Sequence, residues 1–200
     1  SIVQEIKYIL YIYWLQQLDL NNIKRALVKK LHYSRRRHMM AKTVYGNYTQ
    51  EDLDLEYDMR RRCPHFAETF AAMDVHNKRT ISNFDCQLNV EFGKKPGEKL
   101  DIWPGRGGSP ILLFIHGGYW KAFDKDMFSF IAERFVEAGA CVILNNYDLC
   151  PNVTMDEITR QNRAAMAWIY KNASSIGGDS GRIHVTGHSA GGHLTGMLMA

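Results

Sequence analysis

The sequence predicts a doubly wound α/β sheet, and two observations carry that prediction. Three short apolar runs, residues 111–115 (ILLFI), 141–144 (CVIL) and 183–186 (IHVT), are continuous and rich in β-branched side chains. Such runs suit strands covered on both faces, as in parallel sheets, whereas a strand with one wet face alternates apolar and polar residues. Between the runs lie two stretches of helical periodicity, so the order is strand, helix, strand, helix, strand. Crossovers of that kind are right-handed.

In chain order, residues 51–75 read as two helical pieces broken around Pro64, whose ring cannot continue a helix. Residues 91–106 are rich in Gly, Lys and Pro and hold a short β segment at 100–103. The helix after the first apolar run carries Phe128, Ile131, Phe135 and Ala138 at spacings of 3, 4 and 3, with Asp124 as N-cap and Gly139 as terminator. The helix after the second run opens on Thr154 and Glu157, a capping-box pair, and has Ile158, Ala165, Trp168 and Ile169 as its buried stripe. The domain is expected over residues 40–200, with residues 1–39 a basic extension outside it.

The net charge of +4 is uneven. Residues 1–39 hold eight Lys/Arg against two acids, which leaves seventeen against nineteen in residues 40–200. The body is slightly acidic and offers no footprint for a nucleic acid; the basic stretch 29–37 (KKLHYSRRR) reads as a solvated run. The apolar run at 8–15 (YILYIYWL) falls far short of the ~20 residues that span a bilayer, and no small-residue cleavage site follows it. Neither a membrane partner nor a secretory signal is expected. The four cysteines form no CxxC pair, so reduced thiols and a cytoplasmic location are expected. A chain that opens on Ser1 and stops at Ala200 reads as a piece of a longer protein.

The third apolar run leads into Gly187-His188-Ser189-Ala190-Gly191, a G-x-S-x-G placed after a strand and before a helix. A sharp strand-to-helix turn crowds the backbone, so glycines flank the serine. Its Oγ is then presented above the sheet, near a helix N-terminus that favours developing negative charge. A glycine-rich turn whose serine only caps the helix is the alternative. The first run ends in His116-Gly117-Gly118-Tyr119-Trp120. A glycine pair there lets backbone N–H groups turn toward a reacting carbonyl oxygen, and the N–H of Ala190 supplies the complementary donor of an oxyanion hole. The motifs stand 73 residues apart, counted from His116 to Ser189, which is room for two βα units.

With these motifs in place, the sequence resembles the α/β-hydrolase kind of kynurenine formamidase (arylformamidase). The resemblance rests on FIHGGYW (114–120), DKDMFSFIAERFVEAGA (124–140), NYDLCPNVTMDEI (146–158) and GHSAGGH (187–193). It implies an α/β-hydrolase fold with a mostly parallel, doubly wound sheet whose C-terminal part is missing from this chain. The implied activity is hydrolysis of N-formyl-L-kynurenine to L-kynurenine and formate, without metal or other cofactor. Ser189 matches the nucleophile, and Gly117, Gly118 and Ala190 match the oxyanion-hole backbone. His116 belongs to the motif, and Tyr119 and Trp120 would line the pocket for an aryl ring, although for Trp120 packing weighs as much as pocket lining. The partner implied is a small aryl formamide or ester substrate; a homodimer stays open.

In this fold the triad runs Ser, then Asp or Glu, then His, so both partners of Ser189 are expected after Ala200. His188 and His193 read as hydrogen-bonded structural residues, Asp148 as a loop former and Asp179 as a turn former. The 200 residues alone are therefore expected not to turn over substrate. Two other readings remain at this stage: a carboxylesterase of the hormone-sensitive-lipase type, and a hydrolase-fold protein that binds without catalysing.

Overall fold

In the computed structural model the described residues are 42–58, 61, 63 and 65–200. The expected domain boundary at 39/40, the apolar and basic stretches before it, and Pro64 lie outside them. The chain divides into two compact units between Pro64 and His65. In the first, strands β1 (Thr43–Tyr45) and β2 (Tyr48–Thr49) pair antiparallel and lead into helix α1 (Gln50–Tyr57). Thr49 and Asp52 form a reciprocal capping box: Asp52 N–H donates to Thr49 Oγ1 at 3.2 Å and Thr49 N–H donates to Asp52 Oδ2 at 2.8 Å.

The second unit is built on a five-stranded sheet in the order β3-β4-β6-β5-β7. The strands are β3 (Gln87–Glu91), β4 (Lys99–Trp103), β5 (Ser109–Ile115), β6 (Cys141–Asn145) and β7 (Gly178–Gly187). β6, β5 and β7 run parallel, while β3 and β4 add an antiparallel flank. All five residues of β6 are buried, as a continuous apolar run requires. β7 departs from that expectation: among the described residues it is an edge strand, and Ile183 and Val185 alternate half-buried with exposed neighbours. It is also longer than residues 183–186, because it begins at Gly178. Asp179 therefore lies within the strand rather than in a turn ahead of it, although its carboxylate does accept the Gly181 N–H at 2.8 Å.

The pleat sends alternate side chains to opposite faces, and each face has its own core. Leu100, Ile102, Ile111, Leu113, Ile115 and Ile143 face Ile158, Ala165 and Ile169 of helix α4 (Met155–Asn172) and Leu194 of helix α5 (Ala190–Met199). Trp103, Phe114, Val142 and Leu144 face Phe128 and Ala132, with Met73 and Ile81 of helix α2 (Phe66–Asn83) packed alongside. Each fully buried aliphatic side chain contributes about 1.5–3 kcal/mol.

Two helices differ from expectation in an instructive way. The element after β5 opens as a 3₁₀ helix, Lys125–Ile131, and becomes the short helix α3 (Ala132–Glu137). Three residues per turn shift the stripe, so Phe128, Ser129 and Ala132 are buried while Phe135 is exposed. Asp124 does cap it, accepting the Asp126 N–H at 3.0 Å. Gly139 (φ +89°) ends it in a Schellman pattern, with Ala140 N–H bonded to Phe135 O and Gly139 N–H to Val136 O. At α4, Thr154 accepts the Glu157 N–H at 3.2 Å, but the Glu157 carboxylate turns to Arg160 and Gln161 instead of closing the box.

Candidate active site

Register places Ile115, Asn145 and Gly187 at one level, so the carboxyl ends of three parallel strands share one sheet edge. The segments HGGYW, NYDLCP and HSAGG all leave the sheet there, the edge at which open α/β sheets place their ligands. His188 N–H donates to Ile115 O at 3.2 Å and Cys150 N–H donates to Trp120 O at 2.8 Å, tying the three loops together.

Ser189 sits at the turn into α5 with φ +55° and ψ −116°. That left-handed conformation costs a non-glycine residue of order 1–3 kcal/mol. Its side chain is exposed and makes no capping hydrogen bond, so the turn does not serve merely to cap the helix. The glycines around it are sterically required. A Cβ on Gly191 would lie 2.0 Å from Ile115 O, and one on Gly187 would lie 2.3 Å from the Gly191 carbonyl.

The two motifs converge. A Cβ on Gly117 would come within 3.1 Å of Ser189 Cβ and 2.6 Å of His188 O, so only glycine lets these loops meet. Gly118 (φ +118°) is equally constrained, because a Cβ there would lie 2.0 Å from Ala122 O. Among the described residues, neither the Gly118 N–H nor the Ala190 N–H has an acceptor. Tyr119 and Trp120 follow with φ +58° each, which extends the strained backbone along the loop.

His116 points away from this opening. It is fully buried, its ring stacks on Tyr147 at 4.2 Å, and its Nδ1 lies 2.7 Å from Gly117 O. That oxygen can only accept, so Nδ1 carries the ring proton. Nε2, without a proton, lies 3.2 Å from Asn146 Oδ1, a contact between two acceptors, and Tyr147 Oη donates to His116 O at 2.8 Å. Burial holds the His116 pKa below the ordinary value of 6.5. An unfolded chain takes up a proton near 6.5 that the folded one refuses, so stability falls as pH drops below 6.5. Melting temperature is expected to decline from pH 7 toward about 5, and His116→Gln is expected to flatten that slope.

Trp120 is half-buried, packs on the core beneath α4 and α5, and meets the His193 ring edge-on at 5.2 Å. Tyr119 is exposed, with its ring against Trp120 at 5.6 Å. His188 and His193 depart from the expected hydrogen-bonded role: both are exposed, and neither ring hydrogen-bonds a described residue. His188 Nδ1 lies 2.9 Å from where a Gly117 Cβ would sit, on the side of the turn that faces the first loop, and the His193 ring reaches Trp120 from α5. Asp148 shapes its loop, accepting the Gly97 N–H and Gln161 Nε2 at 2.8 Å each. Among the described residues, no group of three His, Cys, Asp or Glu side chains is placed to hold a metal ion. No described helix is long and apolar enough to cross a membrane.

The BD-FAE family model matches residues 100–200, which include every residue of this site. The chain belongs to the BD-FAE family. Kynurenine formamidases are among the curated relatives of this BD-FAE chain. That of Danio rerio is 29% identical over 165 residues, spanning 78% of this chain and 55% of its own length. That of Salmo salar is 34% identical over 116 residues, spanning 56% and 38%. Esterase LipC of Mycobacterium tuberculosis is 25% identical over 158 residues, 76% of this chain and 37% of its own. A solved structure from Silicibacter sp. TM1040 matches with TM-score 0.61 and 32% identity, covering 71% of this chain and 53% of that one. An esterase from Pyrobaculum calidifontis (TM-score 0.53, 23% identity, 64% and 44% covered) shares the fold. The BD-FAE chain thus has the α/β-hydrolase fold, and it spans about half the length, or less, of the curated relatives it matches.

Asn146, Tyr147 and the ion pair of Asp101 with Lys125 were not singled out by sequence reasoning. A Tyr following a buried strand was readable, but Lys125 within Asp124-Lys125-Asp126 has the look of a solvated run.

Proposed function

We propose that the protein hydrolyses an aryl formamide, N-formyl-L-kynurenine, to L-kynurenine and formate through Ser189. Ser189 Oγ attacks the formyl carbon and its proton passes to a histidine oriented by a carboxylate, both contributed by sequence after Ala200. The oxyanion is received by the N–H groups of Gly118 and Ala190, each worth about 10²–10³ in rate. The C–N bond breaks as the histidine returns the proton to the leaving amine. A formyl-serine remains, and water attack releases formate and restores the hydroxyl. Tyr119 and Trp120 line the side on which the aryl ring lies. The observation that carries this reading is the approach of Gly117 to Ser189, with two unpaired N–H donors beside a serine in a left-handed turn.

The relatives named kynurenine formamidase favour a formamide, and the similarity to LipC favours a carboxylester as the second reading. The full-length protein should show a higher kcat/KM on N-formylkynurenine than on short p-nitrophenyl esters. Ester preference by orders of magnitude would replace the first reading with the second.

A further inference from the structure

Just past the end of β6, Tyr147 stands on a fixed platform. On either side of it, Asn146 N–H donates to Lys99 O at 3.0 Å and Asp148 N–H donates to Gln161 Oε1 at 2.8 Å. Tyr147 itself is 2% exposed and belongs to the core that α4 covers. From there it reaches the first residue of the oxyanion loop at two points. Its hydroxyl donates to His116 O at 2.8 Å, and its ring stacks on the His116 imidazole at 4.2 Å, 5° from parallel. Burial pushes the Tyr147 pKa up, so the hydroxyl keeps the proton it donates. The proposed chemistry uses neither contact.

Both bear on the reaction because of what His116 does next. Its Nδ1–H donates to Gly117 O at 2.7 Å. A peptide unit is planar and trans, so Gly117 C=O and Gly118 N–H point in opposite directions. An imidazole held in place on the carbonyl side therefore sets where the N–H on the other side points. Glycine at both positions leaves this peptide without a side chain to anchor it. The Lys121 and Ala122 N–H groups bind Gly118 O, which belongs to the next peptide unit. The second side-chain torsion of a histidine is broad, and the parallel Tyr147 ring confines it so that Nδ1 stays on Gly117 O. The Tyr147 hydroxyl also satisfies a carbonyl beyond the end of β5. Were that its whole role, losing it would lower stability and leave the reaction alone.

We infer that Tyr147 is a positioning residue: by clamping the His116 carbonyl and ring, it aims the Gly118 N–H at the developing oxyanion. This rests on the reading of that N–H as an oxyanion donor, and Tyr147 itself does not touch substrate.

The test compares Tyr147→Phe, which keeps the stack and loses the hydroxyl, with Tyr147→Leu, which loses both, in the full-length protein well below each melting temperature. A positioning role predicts that kcat falls about three- to thirtyfold in Tyr147→Phe and about ten- to a hundredfold in Tyr147→Leu, with KM within about twofold. Each loss is smaller than outright removal of a donor. Affinity for a trifluoromethyl ketone, which forms an oxyanion on the serine, should fall by the same factors. Ile169→Val, in the last turn of α4, loosens the same core without touching the loop; it should lower the melting temperature and leave kcat and ketone affinity unchanged. If Tyr147→Leu does not fold, Tyr147→Phe decides alone, because it preserves the packed ring. A Tyr147→Phe protein that behaves like Ile169→Val would overturn the inference. A wild-type protein inert toward formamides, esters and serine-directed probes would instead sink the functional reading. The clamp is then judged on the ¹⁵N order parameter of the Gly118 amide: a drop in Tyr147→Phe sustains it, and an unchanged value refutes it.

Discussion

Ser189→Ala in the full-length protein is expected to remove hydrolysis of formamides and esters alike, by about 10⁴–10⁶ in kcat. Labelling by a fluorophosphonate probe should vanish with it. The size of the effect follows from what the serine supplies: without Oγ no covalent intermediate forms, and only the oxyanion donors and substrate binding remain. The fold should be spared. The Ser189 side chain makes no capping hydrogen bond, and alanine meets the same backbone strain at φ +55° that serine already bears. Melting temperature should therefore hold within about a degree or two while activity is lost, which separates a chemical role from a structural one. Labelling that persists in Ser189→Ala would place the nucleophile elsewhere.

Gly191→Ala is expected to have the largest effect on stability. The added methyl would sit 2.0 Å from Ile115 O and 2.7 Å from His116 O, both backbone atoms that cannot rotate aside. Either α5 retreats from β5 or the end of β5 bends, and each route disturbs Leu194 packing over Ile115. Overpacking at a rigid position costs about 3 kcal/mol, which lowers the melting temperature of a domain this size by about 6–12 °C. Activity should fall as well, because the same shift pulls Ser189 away from Gly117. Gly196→Ala in the same helix is the control: a Cβ there meets nothing within 4 Å, and stability should be unchanged or slightly raised. Equal melting temperatures for the two variants would show that the crossing of α5 over β5 is looser than the packing implies.

Much of this molecule was legible from spacing alone. The apolar runs at 111–115 and 141–144 became β5 and β6, because a strand covered on both faces must be apolar throughout. Both glycine-flanked motifs stood at strand ends, and the steric need for Gly117, Gly118, Gly187 and Gly191 is the reason they are glycine. Thr49-x-x-Asp52 was readable as a capping box but was not singled out, whereas Thr154-x-x-Glu157 was singled out and closed only by half. In the second case Arg160 and Gln161 compete for the Glu157 carboxylate from the next turn, and a four-residue pattern takes no account of competitors.

What pattern could not supply is direction, partnership and burial of charge. β3 and β4 are short and partly polar, and nothing local specifies that they pair antiparallel on the far side of β6. The 3₁₀ opening at Lys125 displaced the stripe expected at 3.6 residues per turn, because packing against the sheet, not propensity, chose the local pitch. Lys125 and Asp101 look like surface residues in one dimension; each is tolerable inside only because the other lies 2.9 Å away, at a sequence distance no window spans. Periodicity and steric exclusion act on neighbours in the chain, so they write the strands, turns and glycine positions into the sequence. The partner of a buried charge is chosen across the fold, and only the folded chain brings the two together.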